Sequence, residues 1–137
     1  MKKNSIVIAL LIVFLLSGCY SSNQILAKKM LNMYYDDQSY ITLQGEIIEY
    51  NNNFVTIKCE ELNVYIDYED EICNYHIHSD LVLDLSVGET VTFITVPFHF
   101  YNGHNLPIVE IVVNDEVLLS FNDGKVNLID WVKTTFK

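Results

Sequence analysis

The chain contains no arginine, and its eight lysines are outnumbered by eighteen acidic residues. A protein that binds nucleic acid needs cations to displace the counterions of the phosphate backbone. Because acidic residues outnumber basic ones, we do not expect a nucleic acid as the partner. The sequence also has no internal repeat and no low-complexity tract, so it does not predict a repeat architecture.

No catalytic constellation is visible in the sequence. Serines are few, and none lies in the glycine-flanked turn of a nucleophile elbow. Cys59 or Cys73 could be paired with a histidine, but Cys59 lies on a predicted core face, where a thiol is inert. We therefore expect a protein that is not an enzyme and that carries no cofactor.

The first nineteen residues have the order of a secretory signal: a basic start at Lys2 and Lys3, an apolar run over residues 6–16, and small residues before Cys19. The ending Leu-Ser-Gly-Cys resembles the lipobox of bacterial lipoproteins. That resemblance implies cleavage before Cys19, a diacylglycerol on its thiol, and attachment to the outer face of the cell membrane. A transmembrane anchor is the alternative, but residues 6–18 fall short of the ~20 residues that span a bilayer. A plain signal peptide followed by an unrelated cysteine is the other alternative.

Removing residues 1–18 leaves 119 residues, which is one domain of ordinary size. The mature part keeps six lysines and all eighteen acidic residues, for a net charge of −12. We divide it into a lipid-anchored tether with a short helix over residues 19–38 and a β domain with a terminal helix over residues 39–137.

From Tyr40 onward the apolar residues alternate with polar ones, which predicts strands. A glycine inside the first strand, Gly45, predicts a bulge or a bend. Asn127 is expected to cap a terminal helix. Trp131, Val132 and Phe136 form an apolar face on that helix, and this face should be buried. The strands are expected at residues 40–50, 54–59, 64–68, 90–96, 106–113 and 116–121, with residues 72–86 left open between a short helix and an irregular crossover.

The order of five strands, the bent first strand and the break before the fourth strand resemble the OB-fold over residues 40–113. The fold class that we predict is therefore mainly β, a small OB-like barrel of five to six strands with an N-terminal and a C-terminal helix. A small β-sandwich is the alternative, since short strands at this spacing fit either architecture. Cys59 alternates with apolar neighbours and is expected to be a buried thiol, while a disulfide to Cys73 stays open.

The loop over residues 97–105 is the strongest candidate for a contact surface. In an OB-fold it connects the fourth and fifth strands, which is a usual ligand loop. Exposed aromatic side chains at a loop indicate recognition, although burial as a plug of the barrel is the competing hypothesis. The contact residues that we predict are Phe98, His99, Phe100, Tyr101 and His104, together with Tyr65 on a neighbouring strand.

Two candidate metal sites are weaker. The four histidines His76, His78, His99 and His104 could hold zinc or copper, but nothing in their spacing requires them to meet. An acidic cluster over residues 67–71 lacks the glycine of a calcium-binding loop and is interpreted as a solvated strand end. We expect no metal.

Together these features predict a lipid-anchored cell-surface protein that binds an extracytoplasmic protein, peptide or wall glycan. An immunity-type lipoprotein against a basic toxin and an extracytoplasmic metal-binding protein are the alternatives.

Overall fold

The structure, a computed structural model, describes residues 22–64 and 71–137. Helix α1 covers residues 22–35, and helix α2 covers Phe121–Thr135. Short 3-10 helices occupy Asp37–Ser39 and Glu60–Val64. The strands are β1 Ile41–Asn51, β2 Phe54–Lys58, β3 Ile72–Ile77, β4 Thr90–Thr95, β5 Leu106–Val113 and β6 Glu116–Leu119.

The six strands form one sheet in the order β3-β2-β1-β4-β5-β6, and an additional parallel pairing of β3 with β5 closes it into a ring. The closing pair runs from Tyr75 opposite Leu106 to Ile77 opposite Ile108. All other neighbouring strands are antiparallel. The prediction of a mainly β, barrel-like ring with one helix before the strands and one after them is confirmed.

Strand β1 bends as its glycine predicts. It pairs with β4 along its first half and with β2 along its second half, and a bulge lies between Ile47 and Glu49. A Cβ atom on Gly45 would lie 2.5 Å from Cγ2 of Ile57 and 2.6 Å from the carbonyl oxygen of Lys58. The glycine is therefore needed for the close approach of β2 at the bend.

The third strand, predicted at residues 64–68, falls almost wholly on residues that the structure does not describe. Val64 ends a 3-10 helix, and residues 65–70 lie outside the described residues. The third strand of the ring is Ile72–Ile77, in a segment whose irregular apolar pattern had left its structure open. The connection over residues 78–89 contains neither helix nor strand, so the crossover is irregular.

Two apolar clusters hold the molecule together. One fills the ring, and it includes both described cysteines, Cys59 and Cys73, which are buried and not joined by a disulfide. The other lies between the sheet and the two helices, where Met30 and Tyr34 of α1 meet Val109 of β5. Strand β5 contributes to both clusters, which explains its continuous apolar sequence.

Helix α2 begins six residues before the predicted cap at Asn127. Ser120 caps it, and the Ser120 hydroxyl accepts a hydrogen bond of 3.3 Å from the backbone N–H of Asp123. The sequence Asn-Asp-Gly at residues 122–124, which is typical of turns, lies instead in the first turn of the helix. Gly124 is buried there because a Cβ atom would lie 1.9 Å from the carbonyl oxygen of Val109, so its missing side chain sets the contact between α2 and β5.

The apolar face predicted on α2 is only partly buried. Val132 is fully buried, whereas Trp131 and Phe136 are half-buried. The helix packs on the sheet through Gly124, Leu128, Ile129 and Val132, and the indole lies beside that face rather than within it. In the described part of the chain, no helix has both the length and the hydropathy needed to cross a membrane.

Candidate functional sites at the aromatic surface

The loop over residues 96–105 is held by its own backbone and one histidine. The N–H of Phe98 donates to the carbonyl of Val96, and the N–H of His104 donates to the carbonyl of Tyr101. Nδ1 of His99 donates to the carbonyl of His104 at 2.7 Å, which fixes the proton of His99 on that nitrogen. The aromatic residues of the loop are therefore presented by an ordered segment.

The predicted contact residues do not share one environment. Phe98 is 46% exposed and Tyr101 is 41% exposed, whereas Phe100 packs partly into the cluster beneath the helices and His104 is buried. The side chain of Tyr65 lies outside the described residues. The loop thus combines exposed and buried aromatic side chains, so it is neither wholly a surface nor wholly a plug.

Phe98 and Phe100 form one wall of an open groove of about 710 Å³ against helix α1. We call it the α1 groove. The other wall includes Ile25, which is 52% exposed, and Leu26. The described residues that line the groove are Ser22, Ile25, Leu26, Lys29, Asn32, Met33, Asp36, Ser39, Phe98 and Phe100.

A chain of aromatic rings connects the loop to the far side of the molecule. Phe54 of β2 stacks on His76 of β3 with ring centroids 4.6 Å apart, and His76 lies 3.8 Å from His78. His78 lies 4.5 Å from Trp131 of α2. The chain continues through Phe136, Tyr101, His104 and Phe100 to Tyr34 of α1, with successive centroid distances of 5.7, 6.4, 5.0, 5.8 and 5.6 Å.

His76, His78 and Trp131 of this chain form the wall of a second open cavity, of about 640 Å³, between the end of β3 and helix α2. We call it the His–Trp cleft. On the helix side it is lined by Asp123, Asn127, Asp130, Trp131 and Thr134, which are spaced as one stripe of an α-helix. The opposite side carries Asn53, His76, Ile77, His78, Ser79, Asp80 and Leu81, with Leu119 also in the lining.

The His–Trp cleft is acidic. Asp80, Asp123 and Asp130 line it, and the described residues in its lining include no lysine. Hydroxyl and amide groups alternate with these carboxylates around the half-buried indole of Trp131. The cleft therefore offers hydrogen-bond acceptors beside a flat apolar surface and disfavours an anionic ligand.

Burial keeps the histidines behind the cleft neutral. Burial, with smaller contributions from the charges of His76 and His104, lowers the pKa of His78 to about 3. Burial, followed by the charges of His99 and His76, lowers the pKa of His104 to about 4. Burial also lowers the pKa of His76. These imidazoles act at neutral pH as uncharged aromatic rings.

The four histidines come together as two ring pairs, His76 with His78 at 3.8 Å and His99 with His104 at 6.3 Å, which their spacing alone did not require. Even so, no group of three or more His, Cys, Asp or Glu side chains within residues 22–64 and 71–137 has the arrangement of a metal site. The acidic cluster over residues 67–71 lies almost wholly outside that range, and so does Cys19.

Sequence reasoning missed the helix side of the His–Trp cleft. Once the helix is started at Phe121 instead of Asn127, Asp123, Asn127 and Asp130 fall on the same stripe as Trp131. The available signal was Ser120 followed three residues later by Asp123, a serine cap with an acidic partner. The Asn-Asp-Gly sequence after it, which is typical of turns, concealed that signal.

Comparison with protein-family models, with curated proteins and with solved structures gave no match to this chain.

Proposed function

We propose that this chain is a lipid-anchored extracytoplasmic binding module whose His–Trp cleft binds a wall glycan. The observation that carries the proposal is the composition of the cleft, in which Trp131 and two neutral histidines form an aromatic wall surrounded by carboxylate, amide and hydroxyl groups. A sugar ring has an apolar face that packs on such a wall and hydroxyl groups that these polar side chains can bind.

The position of the cleft in the fold supports the same assignment. Asn53 lies in the turn between β1 and β2, and His76 lies on β3. The strand 2–3 face and the loop between strands 1 and 2 are where OB-folds bind oligosaccharides or oligonucleotides. The net charge of −12 on the mature part disfavours the oligonucleotide. Repulsion by Asp80, Asp123 and Asp130 selects neutral sugars over acidic ones.

Attachment through Cys19 is the second half of the proposal, and it rests on the lipobox-like sequence before that residue. We expect the mature protein to carry the mass of a diacylglycerol and to sediment with membranes. A Cys19→Ser variant should lack that mass and leave the membrane fraction. Retention of the variant in the membrane without the lipid mass would contradict lipid anchoring.

Binding of purified wall glycan by the detergent-solubilised full chain tests the cleft. Trp131→Ala should lower glycan affinity at least tenfold, because loss of a central aromatic contact commonly removes ≥ ~2 kcal/mol of binding free energy. Val126→Ala is the matched control, since Val126 is 57% exposed on the same helix and does not line the cleft. Equal affinity of the two variants would show that glycan does not bind in the cleft.

A basic protein ligand is the second candidate, because the described lining of the cleft has three carboxylates and no lysine. An immunity-type role against a cationic toxin would use these charges for electrostatic steering. Association would then slow strongly with added salt, whereas binding of a neutral glycan would be nearly insensitive to salt. Replacing Asp123 and Asp130 with Asn separates the two, since only the basic protein should lose affinity in proportion to the charge removed.

A further inference from the structure

The α1 groove is apolar, open and distinct from the His–Trp cleft. Ile25 and Phe98 lie on its rim and are both about half exposed. The apolar side chains of Leu26, Met33 and Phe100 also line it. An exposed apolar patch of this kind indicates an interaction site rather than a solvated surface. The occupant can be argued from charge and from the position of α1 in the chain.

Charge in this molecule is distributed unevenly around the groove. Helix α1 over residues 22–35 and the loop over residues 96–105 contain none of the eighteen acidic residues of the chain. Helix α1 carries Lys28 and Lys29 instead, both exposed, and Lys29 lines the groove. The first carboxylate at the groove is Asp36, which lies beyond the C-terminal end of the helix. The wall of the groove that α1 forms is thus basic at the middle of the helix and has no carboxylate before Asp36, on a strongly acidic protein.

The end of the groove at Ser22, away from Asp36, is the end nearest Cys19. Only Tyr20 and Ser21 separate Cys19 from the first residue of α1, and three residue steps span at most about 11 Å. A diacylglycerol on Cys19 would therefore hold the start of α1 within the headgroup region of the bilayer. A lipid chain combined with basic residues and apolar side chains is the combination that stabilises membrane attachment.

We infer that the α1 groove docks on the anionic surface of the membrane, with Ile25 and Phe98 inserted at the headgroup boundary and Lys28 and Lys29 beside anionic lipid. The domain then lies against the bilayer in one orientation rather than moving freely on its tether. The inference rests on the proposed lipid anchor at Cys19. It assigns the exposed aromatic side chain of Phe98 to lipid and leaves the His–Trp cleft for the ligand.

Fluorescence quenching by brominated lipid tests the orientation on the full-length lipidated protein in phosphatidylcholine–phosphatidylglycerol vesicles. A single surface cysteine can be labelled selectively, because Cys59 and Cys73 are buried and Cys19 would be a thioether. Phe98→Cys places the probe in the groove. Val87→Cys is the control, since Val87 is 67% exposed and lies before β4 whereas Phe98 lies after it, about 20 Å away.

We expect the probe at residue 98 to be strongly quenched and the probe at residue 87 to stay unquenched. Equal quenching at the two positions would overturn the inference while leaving the lipid anchor intact. Failure of the anchor itself is distinguished beforehand, because the purified protein would then lack the diacylglycerol mass. If the probe at residue 98 is shielded from solvent but not quenched by lipid, and the particle mass is doubled, the groove is occupied by a second copy of the chain. That outcome would likewise overturn the inference.

The basic residues are tested separately from the apolar ones. Replacing Lys28 and Lys29 with Gln in the lipidated protein labelled at residue 98 should lower the ratio of docked to undocked protein about fivefold for each lysine, seen as weaker quenching of the probe by lipid, because each basic residue contributes about 1 kcal/mol at an anionic surface. Lys58→Gln is the matched control, because Lys58 is an exposed lysine on β2. An effect of Lys58→Gln as large as that of Lys29→Gln would show that attraction is not localised to the groove, which contradicts the docking.

Discussion

The α1 groove and the His–Trp cleft are similar in volume and opposite in chemistry. Helix α1 and the loop over residues 96–105 bound the groove and contain no carboxylate, and the first carboxylate at the groove is Asp36. Lys29 is the only lysine among the described lining residues. The cleft has three carboxylates and, among its described lining residues, no lysine. A small acidic domain can thus separate a surface suited to an anionic bilayer from one suited to a neutral or cationic ligand.

The aromatic chain from Phe54 to Tyr34 physically connects these two regions. His104 is a buried member of this chain, and its ring contacts Tyr101 on one side and Phe100 on the other. The linings of the cleft and the groove share no residue, so we expect that each can be changed with little effect on the other. The following predictions test that independence, beginning with a change that should affect the whole molecule.

Gly124→Val should cause the largest loss of stability. Its side chain would collide with the carbonyl of Val109 and push α2 off β5, which we expect to lower the free energy of unfolding by about 3 kcal/mol or more. Chemical denaturation monitored by circular dichroism measures the loss. Gly88→Ala is the comparison, because Gly88 has open space but a φ of +90°, and strain alone should cost about 1–2 kcal/mol. A smaller loss for Gly124→Val than for Gly88→Ala would contradict the close packing of α2.

Trp131→Ala should destabilise the protein by about 1–3 kcal/mol, below the 3–5 kcal/mol typical of a fully buried tryptophan, because the indole is half-buried. Urea denaturation measures this difference. Quenching by lipid at residue 98 should not change, since Trp131 does not line the α1 groove. If Trp131→Ala lowered both the stability of the protein and the quenching by lipid at residue 98, the cleft and the groove would be one coupled unit.

His104→Leu should reduce the sensitivity of the fold to acid. The pKa of His104 is lowered from its ordinary value of 6.5 to about 4, so between these values the unfolded chain binds more protons than the folded one. The free energy of unfolding therefore falls as the pH is lowered through this window, by about 1.4 kcal/mol per pH unit for each such histidine.

The measurement is the free energy of unfolding as a function of pH between 4 and 6.5. The wild-type slope should exceed that of His104→Leu by about 1.4 kcal/mol per pH unit, while the two proteins have similar slopes above pH 7. Parallel curves throughout would mean that His104 is already protonated in the folded protein. Because no described residue pairs with Nδ1 of His104, the leucine should not lower stability at neutral pH.

Phe98→Ser should have the smallest effect on stability, within about 0.5 kcal/mol, because exposed side chains contribute little. Phe100→Ser should cost about 1–3 kcal/mol, since Phe100 packs partly against Tyr34 and the cluster beneath the helices. Thermal melts of the two variants compare them directly. A large loss for Phe98→Ser would show that its side chain is part of the core and not of an exposed groove.

Much of the barrel could be predicted from the sequence because its strands alternate apolar and polar residues. Strand β5 was predicted with its observed bounds, and β1, β2 and β4 were predicted to within one residue at each end. The position of β3 could not be predicted. Residues 72–86, which include β3, are apolar without a clear period, and the pairing of β3 with the distant β5 is not encoded locally.

The two cavities were less predictable than the fold. The loop with Phe98 could be singled out because it follows Pro97 and contains three aromatic residues, but its partner wall on α1 depends on how the helix packs. The helix side of the His–Trp cleft was lost when the start of α2 was placed at Asn127. Gly124 explains the error, since a glycine that favours a turn locally is required in the helix for contact with Val109.

The parallel pairing of β3 with β5 has a consequence for the order of folding. It joins β3 to β5 through only three residue pairs, whereas β1 pairs with β4 through six. Contacts between residues far apart in the chain form slowly because a long loop must close first. The β1–β2 hairpin should therefore form before the seam between β3 and β5 closes, because its paired residues lie much closer together in the chain. In pulsed hydrogen exchange, the amides of this seam should become protected after those of the β1–β2 hairpin, and because the seam has so few pairs they should be the first in the ring to open.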